Sequence, residues 1–128
     1  MRALVVDDSR TMRRIVGSTL HDLGFETEEA ENGAAALALL EDALQVDLAC
    51  IDWNMPVMDG LELVTRVRAT KEWRAITLMM VTTESEQEKI VRALAAGAHE
   101  YLLKPFAPDA LRDKLDLLGM LPAQGGAA

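Results

Sequence analysis

The chain is poor in the features that mark several common protein classes. It holds one cysteine, Cys50, so no intramolecular disulfide can form. Cys50 lies inside an apolar run and reads as a packed core thiol rather than a nucleophile. The only two histidines, His21 and His99, stand away from every acidic motif and read as surface residues, which disfavours zinc. No apolar run approaches the roughly 18 residues that a membrane span needs. Only "ALVV" precedes the first acidic pair, too little for a signal peptide, so a cytoplasmic protein without a membrane partner is expected. There is no arginine-rich or glycine-rich tract and no internal repeat. No glycine-rich loop follows the first predicted strand, which weakens a flavin or dinucleotide role. A net charge of −8 argues against a nucleic-acid partner and leaves a basic protein surface open.

What is present is an ordinary globular composition. The 128 residues are 50% apolar and 27% charged, enough for one domain with a real core. "ALVV" (Ala3 to Val6) reads as a first strand. Met12, Ile15, Val16, Leu20 and Leu23 then recur at helical spacing, with Ser9 as N-cap and Gly24 as stop. "ETEEA" (Glu26 to Ala30) is a polar, edge-like second strand, and Asn32-Gly33 opens a second helix running to Glu41. "LACI" (Leu48 to Ile51) is the third strand, followed by a helix from Leu61 to Arg68. "ITLMMV" (Ile76 to Val81) is apolar on both faces and precedes a helix from Glu86 to Ala96 that stops at Gly97. "EYLL" (Glu100 to Leu103) leads to a last helix, Pro108 to Leu118. Five strands, each followed by a helix, predict an α/β fold: one parallel sheet covered on both faces.

Polar residues collect where such sheets bind ligands, beyond the carboxyl ends of the strands. Asp7 and Asp8 follow the first strand, Asp52 the third and Lys104 the fifth, while Thr82 ends the fourth. Taken singly, each has a bland reading. An acid after a strand caps the next helix, Thr82 makes a turn, and Lys104 is a solvated lysine. Their joint placement on one rim favours a site. In "DLACIDWNMPVMDG" the chain breaks directly after Asp52, so that the following carbonyl groups can curl towards a bound cation. Three carboxylates within a few ångströms repel pairwise by about 4 kcal/mol at an effective dielectric of ~20. Such a cluster either traps protons or recruits cations; a hard divalent ion answers it, and Mg²⁺ binds through one or two carboxylates plus waters. A cation beside a carboxylate, an ammonium and a hydroxyl suits phosphoryl transfer, with Asp52 as acceptor, Lys104 as counter-charge and Thr82 as donor.

The stretches "VVDDSRTMRRIV", "DWNMPVMDGLEL", "MVTTE" and "AAGAHEYLLKPF", with their spacing, resemble the receiver domain of two-component response regulators. The resemblance covers about residues 2 to 118. It implies a doubly wound, flavodoxin-like sheet in the order 2-1-3-4-5, an order borrowed from that fold family. It implies that Asp52 is the phosphoacceptor and that Asp8 and Asp52 ligate Mg²⁺. Asp7 then acts mainly through water, and Asn54 offers its backbone carbonyl. Lys104 pairs with the phosphoryl group, and Thr82 and Tyr101 form the switch that reports it. Tyr101 taken alone is equally a strand aromatic filling space. The resemblance also implies a cis bond between Lys104 and Pro105. Some positions depart from the family: Thr83 stands where alanine or glycine is usual, and Ser9 replaces an aromatic.

The expected protein is a stand-alone receiver domain over residues 1–121, with a disordered tail at 122–128. Only ten residues follow Leu118, too few for an output domain. It takes its phosphoryl group from a sensor histidine kinase or a histidine phosphotransfer domain, in chemotaxis or motility signalling. It then signals through the face of the fourth helix, fifth strand and last helix, and is a monomer when unphosphorylated. It catalyses only its own phosphorylation and dephosphorylation. One rival is a phosphorelay shuttle or phosphate sink with no output target. A more distant one is a Mg²⁺-dependent phosphatase with an aspartyl nucleophile, whose paired acids lie two residues apart rather than adjacent.

Overall fold

A computed structural model describes residues 1–121; the tail expected at 122–128 lies outside them. Strand β1 (Arg2–Val6) leads to α1 (Arg10–Asp22), β2 (Glu26–Ala30), α2 (Gly33–Glu41) and β3 (Leu48–Ile51). Then follow α3 (Gly60–Ala69), β4 (Thr77–Thr82), α4 (Gln87–Ala96), β5 (Glu100–Leu103) and α5 (Pro108–Leu117). The five strands form one parallel sheet in the order β2-β1-β3-β4-β5, as expected. The winding direction therefore switches between β1 and β3.

Period-two alternation sorts the strand residues into two cores. Leu4, Val6, Ala49, Ile51, Leu78 and Met80 point to one face. There they meet Ala36 and Leu40 of α2, Leu63, Val64 and Val67 of α3, and Ala93 of α4. Ala3, Val5, Leu48, Cys50, Met79 and Val81 point to the other face. They pack against Val16 and Leu20 of α1 and Leu111 and Leu115 of α5. The central strands are apolar on both sides because helices cover both sides. Burial pushes the Cys50 thiol up to about 12, so it stays protonated and inert. The polar β2 is the sheet edge, with Glu26, Glu28 and Glu29 exposed.

Local chemistry sets the element ends. Ser9 caps α1 by accepting from the Met12 N–H at 3.2 Å, and Asn32 caps α2 by accepting from Ala35 at 2.7 Å. Asp59 caps α3 through the Glu62 N–H, which starts that helix at Gly60 rather than Leu61. Strand β4 runs one residue later than the apolar run predicts. The Ile76 N–H is held by the Trp73 carbonyl in a short 3₁₀ turn (Lys71–Trp73), while Thr82 pairs in register with Leu103. Among the described residues, no helix is long and apolar enough to cross a membrane.

Candidate functional site

The switch point between β1 and β3 gathers the acids. Carboxylate oxygens of Asp7, Asp8 and Asp52 all lie within 4.8 Å of one another. Asp7 and Asp52 are buried and Asp8 is exposed, so the group opens to solvent on one side. Asp52 is tied to β1 by its N–H, which donates to the Val6 carbonyl at 2.9 Å. Asp7 is held harder. One carboxylate oxygen accepts from the Ser9 N–H at 2.8 Å, and its carbonyl accepts from the Arg13 guanidinium at 2.6 Å.

Lys104 enters from β5, where its N–H extends the ladder by donating to the Thr82 carbonyl at 2.9 Å. The Lys104–Pro105 bond is cis. The largely buried ammonium donates to Asp7 Oδ2 at 2.9 Å and stands 3.6 Å from Asp52 Oδ2. Its shorter contact is therefore to Asp7.

That leaves Asp52 under-satisfied. Its Oδ1 is buried with no hydrogen-bond partner among the described residues. A buried carboxylate oxygen without a donor is costly. Burial pushes the Asp52 carboxyl above its usual range. The nearby Thr82 hydroxyl and Lys104 ammonium oppose that shift, and the Asp7 charge adds to it. The Thr82 hydroxyl makes no formed hydrogen bond to Asp52; it is fully buried and accepts from the Glu84 N–H at 3.2 Å.

Behind this rim sits Tyr101, opposite Met80 in the β4–β5 register. Its ring is buried, and its hydroxyl donates to the Glu84 carbonyl at 2.6 Å. Burial first, then the Glu84 and Asp52 charges, raise the phenol above its ordinary range.

The loop after Asp52 exposes Asn54 and buries Trp53 in the core. The loop folds back, with the Gly60 N–H donating to the Trp53 carbonyl at 2.9 Å. A Cβ at Gly60 would strike the backbone carbonyl of Asp52, so only glycine lets α3 start this close to the acid. Val57, 83% exposed, has φ +70°, an outlier conformation for a β-branched residue. Thr83 is exposed beside the rim, and His21 and His99 are exposed as expected. The sequence reading missed Glu84, whose contacts run largely through its backbone and carry no residue-type signal.

The model of the response regulator receiver domain matches residues 3–116, and the chain belongs to that family. Within it the chain is CheY-like. A chemotaxis protein CheY homolog of Campylobacter jejuni is 47% identical over 129 residues, covering 99% of each chain. Chemotaxis protein CheY1 of Helicobacter pylori is 44% identical, over 92% of this chain and 96% of that one. Among solved structures, CheY4 of Vibrio cholerae superposes with TM-score 0.83 at 40% identity, over 91% of this chain and 96% of that one. The response regulator TrrA of Thermotoga maritima, solved in complex with Mg²⁺-BeF, gives 0.80 at 32% identity, over 91% and 97%.

Proposed function

We propose that this receiver domain accepts a phosphoryl group on Asp52 from the phosphohistidine of a sensor kinase or a phosphotransfer domain. The observation that carries the reading is the buried, unbonded Oδ1 of Asp52 inside the three-carboxylate group. A group this negative and this poor in donors fits a hard cation with oxygen ligands. Asp8 and Asp52 would hold Mg²⁺, with Asp7 acting through water and the Asn54 backbone carbonyl as a further ligand. Bound there, Mg²⁺ supplies charge neutralisation for the phosphoryl oxygens. The relative solved with Mg²⁺-BeF supports that assignment.

The chain's own residues do the rest. The Asp52 carboxylate attacks phosphorus as the phosphorus–nitrogen bond to the histidine breaks, leaving an acyl phosphate on Asp52, while the donor ring, protonated at its other nitrogen, takes the bond's electron pair and departs as neutral imidazole. Lys104, already poised between Asp7 and Asp52, pairs with one phosphoryl oxygen. The Thr82 hydroxyl, whose proton is uncommitted while it accepts from Glu84, donates to another. That bond draws on the Thr82–Glu84–Tyr101 contacts and so biases the surface around α4. Val91 and Leu94 of α4 and Leu103 of β5 are exposed there, which favours a protein target over a phosphate sink.

Incubation with a phosphorylated kinase or acetyl phosphate should add one phosphoryl group to the wild type and none to Asp52→Asn. Trp53 fluorescence should respond to Mg²⁺ in the wild type and not in the Asp8→Asn/Asp52→Asn double variant. Thr82→Ala should still accept the group yet lose much of the gain in target affinity. One hydrogen bond to a charged group, roughly 1.5–3 kcal/mol, sets that loss at about ten- to a hundredfold. Label on a serine or threonine of the wild type overturns the reading.

A further inference from the structure

Three bonds from different parts of the fold converge on Glu84, two residues beyond Thr82. Its N–H donates to Thr82 Oγ1 at 3.2 Å and its carbonyl accepts from the Tyr101 hydroxyl at 2.6 Å. Its carboxylate accepts from Lys89 Nζ at 3.1 Å. Lys89 belongs to the first turn of α4, and its ammonium also lies 5.9 Å from the centroid of the Trp53 ring. Trp53 is the residue directly after Asp52. One cation therefore touches the segment after β3 and the segment after β4 from a third element, the helix that follows.

The Glu84 side chain is 15% exposed and that of Lys89 33% exposed, so the pair is partly shielded from water. The Lys89 stem lets a charge on α4 reach both partners, and a cation over an indole face is attracted by the ring quadrupole. Without it the Glu84 carboxylate has no partner among the described residues, and the 83–86 segment is held at Glu84 by its two backbone contacts.

We propose that Lys89 is a positioning residue. By bridging Glu84 and Trp53 it fixes the Glu84 carbonyl where Tyr101 binds, and so holds the tyrosine ring in its buried place. Its value as a link between Asp52 and the α4 surface rests on the reading of Thr82 and Tyr101 as the switch. The contact itself and its effect on Tyr101 do not.

Tyr101 is the only tyrosine in the chain, so fluorotyrosine labelling puts a single reporter in this place. Fluorine NMR of the unphosphorylated protein in chelator should show one buried resonance. Lys89→Met keeps the stem and removes the charge. It should lower the ratio of buried to exposed ring about three- to tenfold, the range that a part-exposed ion pair and a cation–π contact supply together. Glu84→Gln should do the same, since the carbonyl is retained, and the double variant should be no worse than either single one. Lys89→Arg, which can make both contacts, should restore the wild-type resonance. A Lys89→Met spectrum identical to wild type overturns the proposal. So does a shift that Lys89→Arg fails to reverse, because it then reports general packing and not the cation. No phosphodonor is present in this measurement. A chain that failed to take a phosphoryl group on Asp52 would refute the proposed function and leave the Lys89 result standing.

Discussion

Replacing Asp52 by asparagine should make the metal-free protein more stable. The substitution keeps the shape of the side chain and removes its charge from a place that disfavours it. With carboxylates no more than 4.8 Å apart, Asp7 repels Asp52 by at least roughly 3 kcal/mol at an effective dielectric of ~20. Asp8 repels it too, but from an exposed position where water and salt screen the interaction. Lys104, 3.6 Å away, returns about 4–5 kcal/mol by the same estimate, although it bonds Asp7 more closely. Burial of Asp52 and its unbonded Oδ1 add cost on the other side. The balance favours the neutral side chain by about 1–3 kcal/mol, of the order expected when a buried charge is poorly compensated. Urea unfolding in chelator at neutral pH should show the midpoint of Asp52→Asn raised by on the order of 1 M.

Acid distinguishes this cause from any other. The folded-state pKa of Asp52 is raised above its ordinary value of 3.8, mainly by burial. The folded chain therefore prefers the protonated acid, and the wild type loses stability as pH rises through the raised value. The advantage of the asparagine variant should be full at neutral pH and vanish once pH falls below 3.8. Mg²⁺ should act in the opposite sense, stabilising the wild type by about 2.7 kcal/mol at a hundred times its Kd and leaving the variant unchanged. An Asp52→Asn protein that is less stable than wild type in chelator at neutral pH would refute the electrostatic reasoning.

Two further outcomes follow from the geometry. Gly60→Ala should cost about 1–3 kcal/mol in urea unfolding and weaken phosphoryl acceptance, because its Cβ must displace the Asp52 carbonyl; an unchanged midpoint contradicts the packing. His99 Nδ1 accepts from the Leu78 N–H at 3.1 Å and faces the Arg68 guanidinium at 3.0 Å, so the ring must be neutral there. Burial and then the Arg68 charge hold its pKa below 6.5. The stability it contributes is present above 6.5 and is lost as pH falls through the lower folded value. Thermal melts across that range should lose this pH dependence in His99→Asn, and an equal slope in both proteins would contradict it.

Much of this was readable in the chain because two signals are local. Short apolar runs marked four strands and a polar, edge-like run the fifth, and β2, β3 and β5 matched to the residue. The candidate site was legible because topology, not sequence proximity, brings strand ends together, and the polar residues at those ends stood out against apolar runs. What was not legible depends on tertiary approach. Which acid Lys104 bonds depends on Ångström-scale differences that no spacing encodes. Glu84 works mainly through its backbone, and any residue has one. Lys89 was visible only as one polar residue on an amphipathic helix. The positive φ of Val57 defies the preference of its residue type, so propensity pointed away from it.

The two ends of the sheet are built on opposite terms. At the carboxyl end β4 and β5 present Thr82 and Lys104 to a group of acids that is short of donors. At the amino end the same two strands are pinned. Arg68, at the end of α3, donates from Nε to the Gly97 carbonyl at 2.9 Å and from Nη1 to the Arg74 carbonyl at 3.1 Å. Its third nitrogen faces His99, just before β5. The His99 ring binds Leu78 near the start of β4, and its backbone N–H donates to the Leu78 carbonyl at 2.8 Å. A side chain spanning 29 and 31 residues of sequence thus ties the approach to β4 and the approach to β5 together. Strands fixed at one end and packed on both faces cannot slide as a unit without breaking those bonds and both cores. The bond proposed at Thr82 on phosphorylation would therefore have to be absorbed beyond the carboxyl ends of the strands. The segment there is 83–86, and what holds it, by the contacts of Glu84, is Tyr101 on one side and Lys89 on the other.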